Sequence, residues 1–301
     1  MNFEPISLDR QQDYLKMLRE TPQIGSDFGF VNIWGWGQAY GLTWAWEDGL
    51  VWLKQSSPYE AYWAPVGNWN NVDWEKVFAE KLAPTRKFIR VPETLANIWA
   101  QCGTFEAEEE SVKHHWDYVY DAQKLRDLSG NNLHKKKNLV NQFDKNYDYR
   151  YIEPDDQWKQ RVLDMQEKWC AWRECDGDHL LQRENEAIRR VLDAWDNLET
   201  AMGAALLVEG EIVAYTIGEA LTDEMVIIRF EKGDVEYKGV YQAINRKFLQ
   251  NTATGFTLVN REEDLGDAGL RKAKLSYHPE AMIKKYNVTL RQSDWVKDMK
   301  K

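Results

Sequence analysis

The 301-residue chain predicts a mixed α/β fold, with α+β mixed sheets, built as two similarly organised halves. Three observations lead there. Short apolar runs joined by tight turns, such as residues 42–46 and 50–54 across Glu47-Asp48-Gly49, read as antiparallel hairpins. Segments with apolar residues at helical spacing alternate with these runs along the whole chain. Finally, one order of helix, hairpin strands, strand, helix and strand occurs in both halves, although no stretch is repeated as sequence.

In the first half, residues 9–20 predict a helix with Tyr14, Leu15 and Leu18 on one side and Asp9 near its start. Phe28, Phe30, Ile33 and Trp34 read as a short strand before the 42–46 and 50–54 hairpin, and residues 62–67 as another. Residues 72–82 predict an amphipathic helix opened by Asp73, residues 87–91 a strand ended by Pro92, and residues 93–101 a helix. Nine of the fifteen tryptophans lie in residues 34–99, which fits a core of packed rings better than a stacking surface for sugars or bases. The acidic run at residues 106–110 suits a solvated sheet edge.

Residues 116–120 then read as a strand, Asp121 as a helix start, and residues 128–143 as a turn followed by a helix through Leu133, Leu139, Val140 and Phe143. Lys135, Lys136 and Lys137 lie on its first turns, against the helix dipole, so a phosphate-bearing ligand would compensate them there. Residues 149–152 predict a strand, 155–173 and 184–198 helices separated by a mobile Asp176-Gly177-Asp178 loop, and 205–208 with 212–218 a hairpin. A strand at 225–230 and a helix at 240–249 follow. These elements predict an N-terminal subdomain over residues 1–122, a connecting helical segment over 123–147 and a C-terminal subdomain over 148–301 that carries the active site.

Composition narrows the function. A net charge of −10 argues against general affinity for nucleic acid or anionic membranes, yet residues 269–301 carry nine basic against three acidic side chains, so a local basic site on an acidic body is expected. No apolar stretch reaches eighteen residues and the first residues lack the pattern of a signal peptide, which predicts a cytoplasmic protein. Cys102, Cys170 and Cys175 cannot make a disulfide framework and lack partners at ligand spacing; each is expected to be a small buried residue, with no structural metal.

The chemistry concentrates in residues 255–279, GFTLVNREEDLGDAGLRKAKLSYHP. An apolar run, residues 256–259, empties into Asn260, Arg261, Glu262, Glu263 and Asp264, and a helical segment follows with Leu270, Ala273 and Leu275 before Tyr277, His278 and Pro279. Carboxylates, lysines and an imidazole thus fall near one strand end. A solvated, capped helix would use the same residues.

Several of these motifs carry a resemblance. IVAYTIGE, residues 212–219, is similar to the central strand of GNAT-type N-acyltransferases. Leu128-Ser129-Gly130 through Lys135-Lys136-Lys137-Asn138, residues 260–266, residues 269–274 and Ser276-Tyr277-His278-Pro279 resemble stand-alone bacterial proteins related to the C-terminal domain of phosphatidylglycerol lysyltransferase. The resemblance implies two tandem GNAT-like acyltransferase subdomains, a fold shared with Fem-type aminoacyl transferases. It also implies an aminoacyl group passing, with aminoacyl-tRNA as donor, to a hydroxyl or amine of a lipid, peptide or small molecule. Such a reaction needs a base, oxyanion donors and cations for phosphate. By type and placement, Glu262 or Asp264 is assigned as base or amino-group binder beside Asn260, Lys272 and Lys274 as phosphate or oxyanion contacts, and Tyr277 or His278 as proton donor.

An acetyl-CoA-dependent N-acetyltransferase is the alternative, and a non-catalytic ligand-binding protein a third. A CoA-binding GNAT loop presents Arg or Gln, then glycines whose amides hold the pyrophosphate at a helix N-terminus. With Gly239 as its first glycine, Glu236 stands where Arg or Gln would and Tyr241 where the second glycine would, so ordinary CoA binding is disfavoured. Lys232, Lys238 and Gly239 still offer phosphate contacts there.

Overall fold

The computed structural model describes residues 1–81, 85–102 and 105–292. In chain order the elements are β1 (Glu4–Pro5), α1 (Gln11–Arg19), α2 (Phe30–Gly35), α3 (Gly37–Tyr40), β2 (Thr43–Glu47), β3 (Leu50–Gln55), β4 (Ala61–Trp63), β5 (Val66–Gly67), α4 (Trp74–Lys81), β6 (Thr85–Pro92), α5 (Glu93–Ala100) and β7 (Phe105–Ser111). They continue with β8 (Asp117–Asp121), α6 (Ala122–Asp127), α7 (His134–Asn146), β9 (Tyr149–Ile152), α8 (Trp158–Arg173), α9 (His179–Asp193), β10 (Ala201–Val208), β11 (Glu211–Ala220), β12 (Met225–Gly233), α10 (Val240–Asn251), β13 (Leu258–Asn260), α11 (Ala268–Leu275), β14 (Ala281–Ile283) and β15 (Lys285–Gln292).

Two compact units result, one of residues 1–117 with 283–301 and one of residues 118–282. The boundaries differ from those at 122 and 147 read from the sequence, because β15 returns to the first unit. There it pairs antiparallel with both β6 and β7, while α6 and α7 belong to the second unit. Lys297, Lys300 and Lys301 of the basic C-terminal stretch lie outside the described residues.

The first unit holds a mixed sheet in the order β1-β2-β3-β4-β6-β15-β7, with β5 on β3. Its core is aromatic: Trp44, Trp52, Trp63, Trp69, Trp74 and Trp99 are all buried, with Trp52 and Trp99 meeting Trp74 edge to face. Strand β7, which carries the acidic run, lies at the sheet edge. Phe30, Ile33 and Trp34 form helix α2 rather than a strand. Apolar residues at 28, 30, 31, 33 and 34 satisfy both the two-residue and the helical period, and burial of Phe30 with Ile33, one turn apart, selects the helix.

The second unit holds a sheet ordered β14-β8-β13-β12-β11-β10-β9, antiparallel at β8·β13 and from β9 to β12 and parallel between β12 and β13. On one face Ala204, Leu206, Val226 and Ile228 pack with Ala243, Ile244 and Phe248 of α10 and with Val140 and Phe143 of α7. Each fully buried valine, leucine, isoleucine or phenylalanine among them contributes about 1.5–3 kcal/mol. On the other, Tyr215 donates to Gln166 of α8 at 2.5 Å. Helix α6 is capped by Asp121, which accepts from the Lys124 amide at 2.8 Å. Asp178 caps α9 through the Leu180 and Leu181 amides, so α9 starts earlier than the expected residue 184, and residues 175–177 form a 3-10 turn. Cys170 and Cys175 are joined by a disulfide across this turn, in place of the two separate buried thiols expected.

Candidate functional site

Strands β12 and β13 run parallel for three residue pairs, Met225–Leu258, Val226–Val259 and Ile227–Asn260, and then β13 ends while β12 continues to Gly233. The chain leaving β13 therefore turns beside the unpaired length of β12, and charged groups of both meet there. A β-bulge helps. Ile217 pairs with Phe230 but Gly218 with Ile228, leaving Arg229 as the extra residue. Ile228 lies in the α10-side core and Glu231 reaches Asn245 of α10 at 2.9 Å, an odd spacing that regular alternation forbids and the bulge permits.

Two charged layers result. In the first, Arg229 donates through Nε and Nη2 to Oε2 of Glu219 at 2.8 and 2.7 Å, and through Nη1 to Glu262 at 2.7 Å. Glu219 is fully buried, whereas the Glu262 side chain keeps about 26% of its surface exposed. Glu262 adopts a left-handed backbone, φ 57°, and its amide donates to Oδ1 of Asn260 at 2.7 Å. Burial, opposed by the Arg229 guanidinium, pushes the Glu262 carboxyl up to about 7.

In the second layer Arg261 donates to Glu231 at 3.2 Å and lies over the Tyr277 ring at 4.8 Å, while Lys136 of α7 approaches the same ring at 4.4 Å. Burial raises Glu231, against Arg261 and Asn245, and lowers Lys136, with the Arg261 charge adding to the latter. Nη1 of Arg261 is buried with no hydrogen-bond partner of good geometry among the described residues. Two cations and one carboxylate thus surround Tyr277, an arrangement suited to an added negative charge.

The remaining residues singled out in the sequence fall into three groups. Asp264 accepts from Arg271 twice at 2.8 Å, from the Tyr118 hydroxyl at 2.7 Å and from the Gly266 amide at 2.8 Å. Burial would raise its carboxyl, yet Arg271, Tyr118 and Gly266 together hold it at about 2, so its acceptor positions are occupied by the turn it builds. Lys274, the one buried residue of α11, donates to the Arg261 and Glu263 carbonyls and so pins the loop of the site. Lys272, His278 and Lys135 are exposed.

The third group sits by α8 and α10. Lys232 is paired to Glu184 at 2.6 Å and lies on the Trp169 ring at 4.0 Å, and the Tyr241 hydroxyl accepts from Trp169 at 3.4 Å. The Lys238 amide donates to Tyr147 at 3.3 Å. Gly239 has φ 91°, and a Cβ there would overlap the Leu139 carbonyl of α7. That close helix approach by itself accounts for a glycine at this position. Among the described residues no group of three or more His, Cys, Asp or Glu is placed to hold a metal ion.

Arg229 and Glu231 were not singled out from the sequence, and Glu219 and Arg261 were read only as members of the 212–219 and 260–266 motifs, with no role assigned. The signal was present: Arg229 follows the apolar run Val226-Ile227-Ile228 and Glu219 the largely apolar run at residues 212–218, in strands buried on both faces over most of their length, where a charge is costly unless paired. The partner of each could not be read without the sheet register.

This fold, with two units each built on a mixed sheet, is the tandem GNAT-like fold. Residues 18–289 match the family model described as phosphatidylglycerol lysyltransferase, C-terminal, and the chain belongs to that family. A crystal structure of a conserved protein of unknown function from Bacteroides thetaiotaomicron VPI-5482 is 28% identical, covers 97% of this chain and 100% of its own, and superposes with a TM-score of 0.89. The L-PGS structure from Bacillus licheniformis shares the fold at 13% identity, with 99% and 96% of the two chains covered and a TM-score of 0.63. An uncharacterised protein of Mycoplasmoides gallisepticum, MYCGA3080, is 28% identical over 177 residues, 57% of this chain; the match spans about half, 55%, of that relative's length. No described helix is long and apolar enough to cross a membrane.

Proposed function

We propose that the chain is an aminoacyl transferase, moving an aminoacyl group from an ester donor such as aminoacyl-tRNA to a hydroxyl or amine acceptor, with the chemistry at Glu262. The observation that carries this reading is Glu262 itself: a partly exposed carboxyl held near neutrality by burial, oriented by Arg229 and by the Asn260 turn. Such a group accepts the proton of an acceptor O–H or N–H as the acceptor's lone pair attacks the ester carbonyl carbon. Negative charge then builds on the carbonyl oxygen, and the excess cation of the Arg261, Lys136 and Glu231 cluster suits it. Collapse breaks the ester C–O bond, and the proton held by Glu262 passes to the leaving oxygen. Asp264, Lys274 and Asn260 serve as positioning residues that hold the 260–267 loop, and Tyr277 supports Arg261 and Lys136.

Crowding of Gly239 by α7, with Tyr241 behind it, supports an ester donor over acetyl-CoA. A direct test incubates the protein with a radiolabelled aminoacyl-tRNA pool and three acceptor classes, namely phosphatidylglycerol vesicles, peptides with free amines and hydroxylamine. Label is expected to move to at least one. Label that stays on tRNA with all three, while acetyl-CoA is consumed, would reverse the choice of donor.

A further inference from the structure

The first unit contains a cavity of about 330 Å³ lined by, among others, Tyr40, Tyr59, Arg90, Glu110, Tyr286 and Asn287. Beneath it lies a buried ionic cluster. Lys285, almost wholly buried, pairs with Asp27 and with Asp117, the latter at 2.6 Å, and Asp117 also accepts from the Ser26 amide and hydroxyl at 2.7 Å each. Asp27 in turn pairs with Arg90.

Two features of this floor are costly. Apolar residues in place of such a buried cluster are often neutral or stabilising by about 1–4 kcal/mol, so stability alone does not call for it. Arg90 also has φ 59°, a left-handed conformation that costs a non-glycine residue about 1–2 kcal/mol. A bulge creates it: Phe88 pairs with Val288 and Val91 with Tyr286, so Ile89 and Arg90 together face Asn287. The guanidinium is thereby laid over the Trp63 ring at 4.5 Å and the Tyr40 ring at 5.5 Å, at the cavity edge. Strain and buried charge converging on one cavity are the pattern of a ligand site.

The register says what would fit. Asn287 of β15 faces Arg90 across β6 on one side and pairs with Glu110 of β7 on the other, donating to its carboxylate at 3.2 Å. Arg90 and Glu110 therefore stand two strand spacings apart, roughly 10 Å between backbones. Their long side chains present one cation and one anion to the same space. Arg90 and Lys285 are balanced by Asp27 and Asp117, so the walls carry no strong net charge that would select a simple anion or cation. Tyr40, Tyr59 and Tyr286 complete the lining.

We infer that this cavity binds a small zwitterion, a free amino acid or a dipeptide, with its carboxylate at Arg90, its ammonium at Glu110 and its side chain against the tyrosines. The inference does not rest on acyl transfer in the second unit. The test is isothermal titration of the full chain with the standard L-amino acids and a set of dipeptides, each compared with its amide and its N-acetyl form. At least one zwitterion is expected to bind with Kd below about 1 mM, and both blocked forms to bind at least about tenfold more weakly. Glu110→Gln and Tyr59→Ala, both at exposed positions, should each weaken binding about tenfold with Tm unchanged. Free amino acids binding where dipeptides do not, or the reverse, identifies the source. Absence of binding up to about 10 mM would overturn the site. Equal binding of the blocked forms would do so too, as would binding that Glu262→Gln abolishes and Glu110→Gln leaves intact.

Discussion

Glu262 lies between two opposed influences, burial that favours its neutral form and Arg229 that favours its charge. If it is the base, transfer should rise with pH through about 7 and level off above, since only the carboxylate accepts a proton. Glu262→Gln should lower the transfer rate at least about 100-fold without unfolding the protein. The same raised carboxyl acts on stability with the opposite sign. Its folded value lies above its ordinary one of 4.5, so its contribution is complete below about pH 4.5 and is lost as pH rises through about 7. Urea titrations of wild type and Glu262→Gln across that window should show the wild type losing more stability than the variant, in which Glu231 is still raised by burial. Asp264 behaves in reverse. Held at about 2 below an ordinary 3.8, it contributes stability above about pH 4 that fades as pH falls toward 2, and Asp264→Asn should cost about 2 kcal/mol at neutral pH in urea unfolding. Glu262, Asp264 and Lys274 were legible as candidates because they crowd one short stretch of sequence. Their separate tasks were not, because only folded geometry distinguishes a carboxylate filled by Arg271, Tyr118 and Gly266 from one left partly exposed.

At the scale of elements, the bulge in β12 places Arg229 and Glu231, and α7, which approaches α10 closely at Gly239, carries Lys136 to Tyr277. Gly239→Ala puts a Cβ against the Leu139 carbonyl at a left-handed position, and a loss of at least about 2 kcal/mol is expected in thermal or urea unfolding. An unchanged Tm would mean that α7 does not pack there. Most helices and strands were readable from periodicity, and the Asp121 cap sits where the sequence placed a helix start. Helix α2 was not, since its apolar spacing serves either period. Bulges were invisible for a different reason: one extra residue in a strand such as MVIIRFEKG leaves its composition unchanged, and only the partner strand reveals it.

Across the whole molecule, the tandem organisation was legible from the repeated order of elements and from the family motifs, but the path of the chain between units was not. Strand β15 is largely polar, with Val288 and Leu290 its buried aliphatic residues, and its pairing with β6 and β7 depends on residues about 180 to 200 positions earlier. Truncation after residue 282 should therefore unfold the first unit, exposing its buried tryptophans, while residues 118–282 keep a cooperative transition. Tryptophan fluorescence would report a red shift of the native baseline, and a native-like spectrum would show that β15 is dispensable. The most direct measurement is single-turnover transfer of a radiolabelled aminoacyl group from aminoacyl-tRNA to the accepted nucleophile, followed from about pH 5.5 to about pH 8.5 for wild type and Glu262→Gln. A wild-type rate that rises through about pH 7, and a variant slower by at least about 100-fold with no such rise, are the expected results. Equal rates and pH profiles for the two proteins would contradict Glu262 as the base and remove the chemistry from this site.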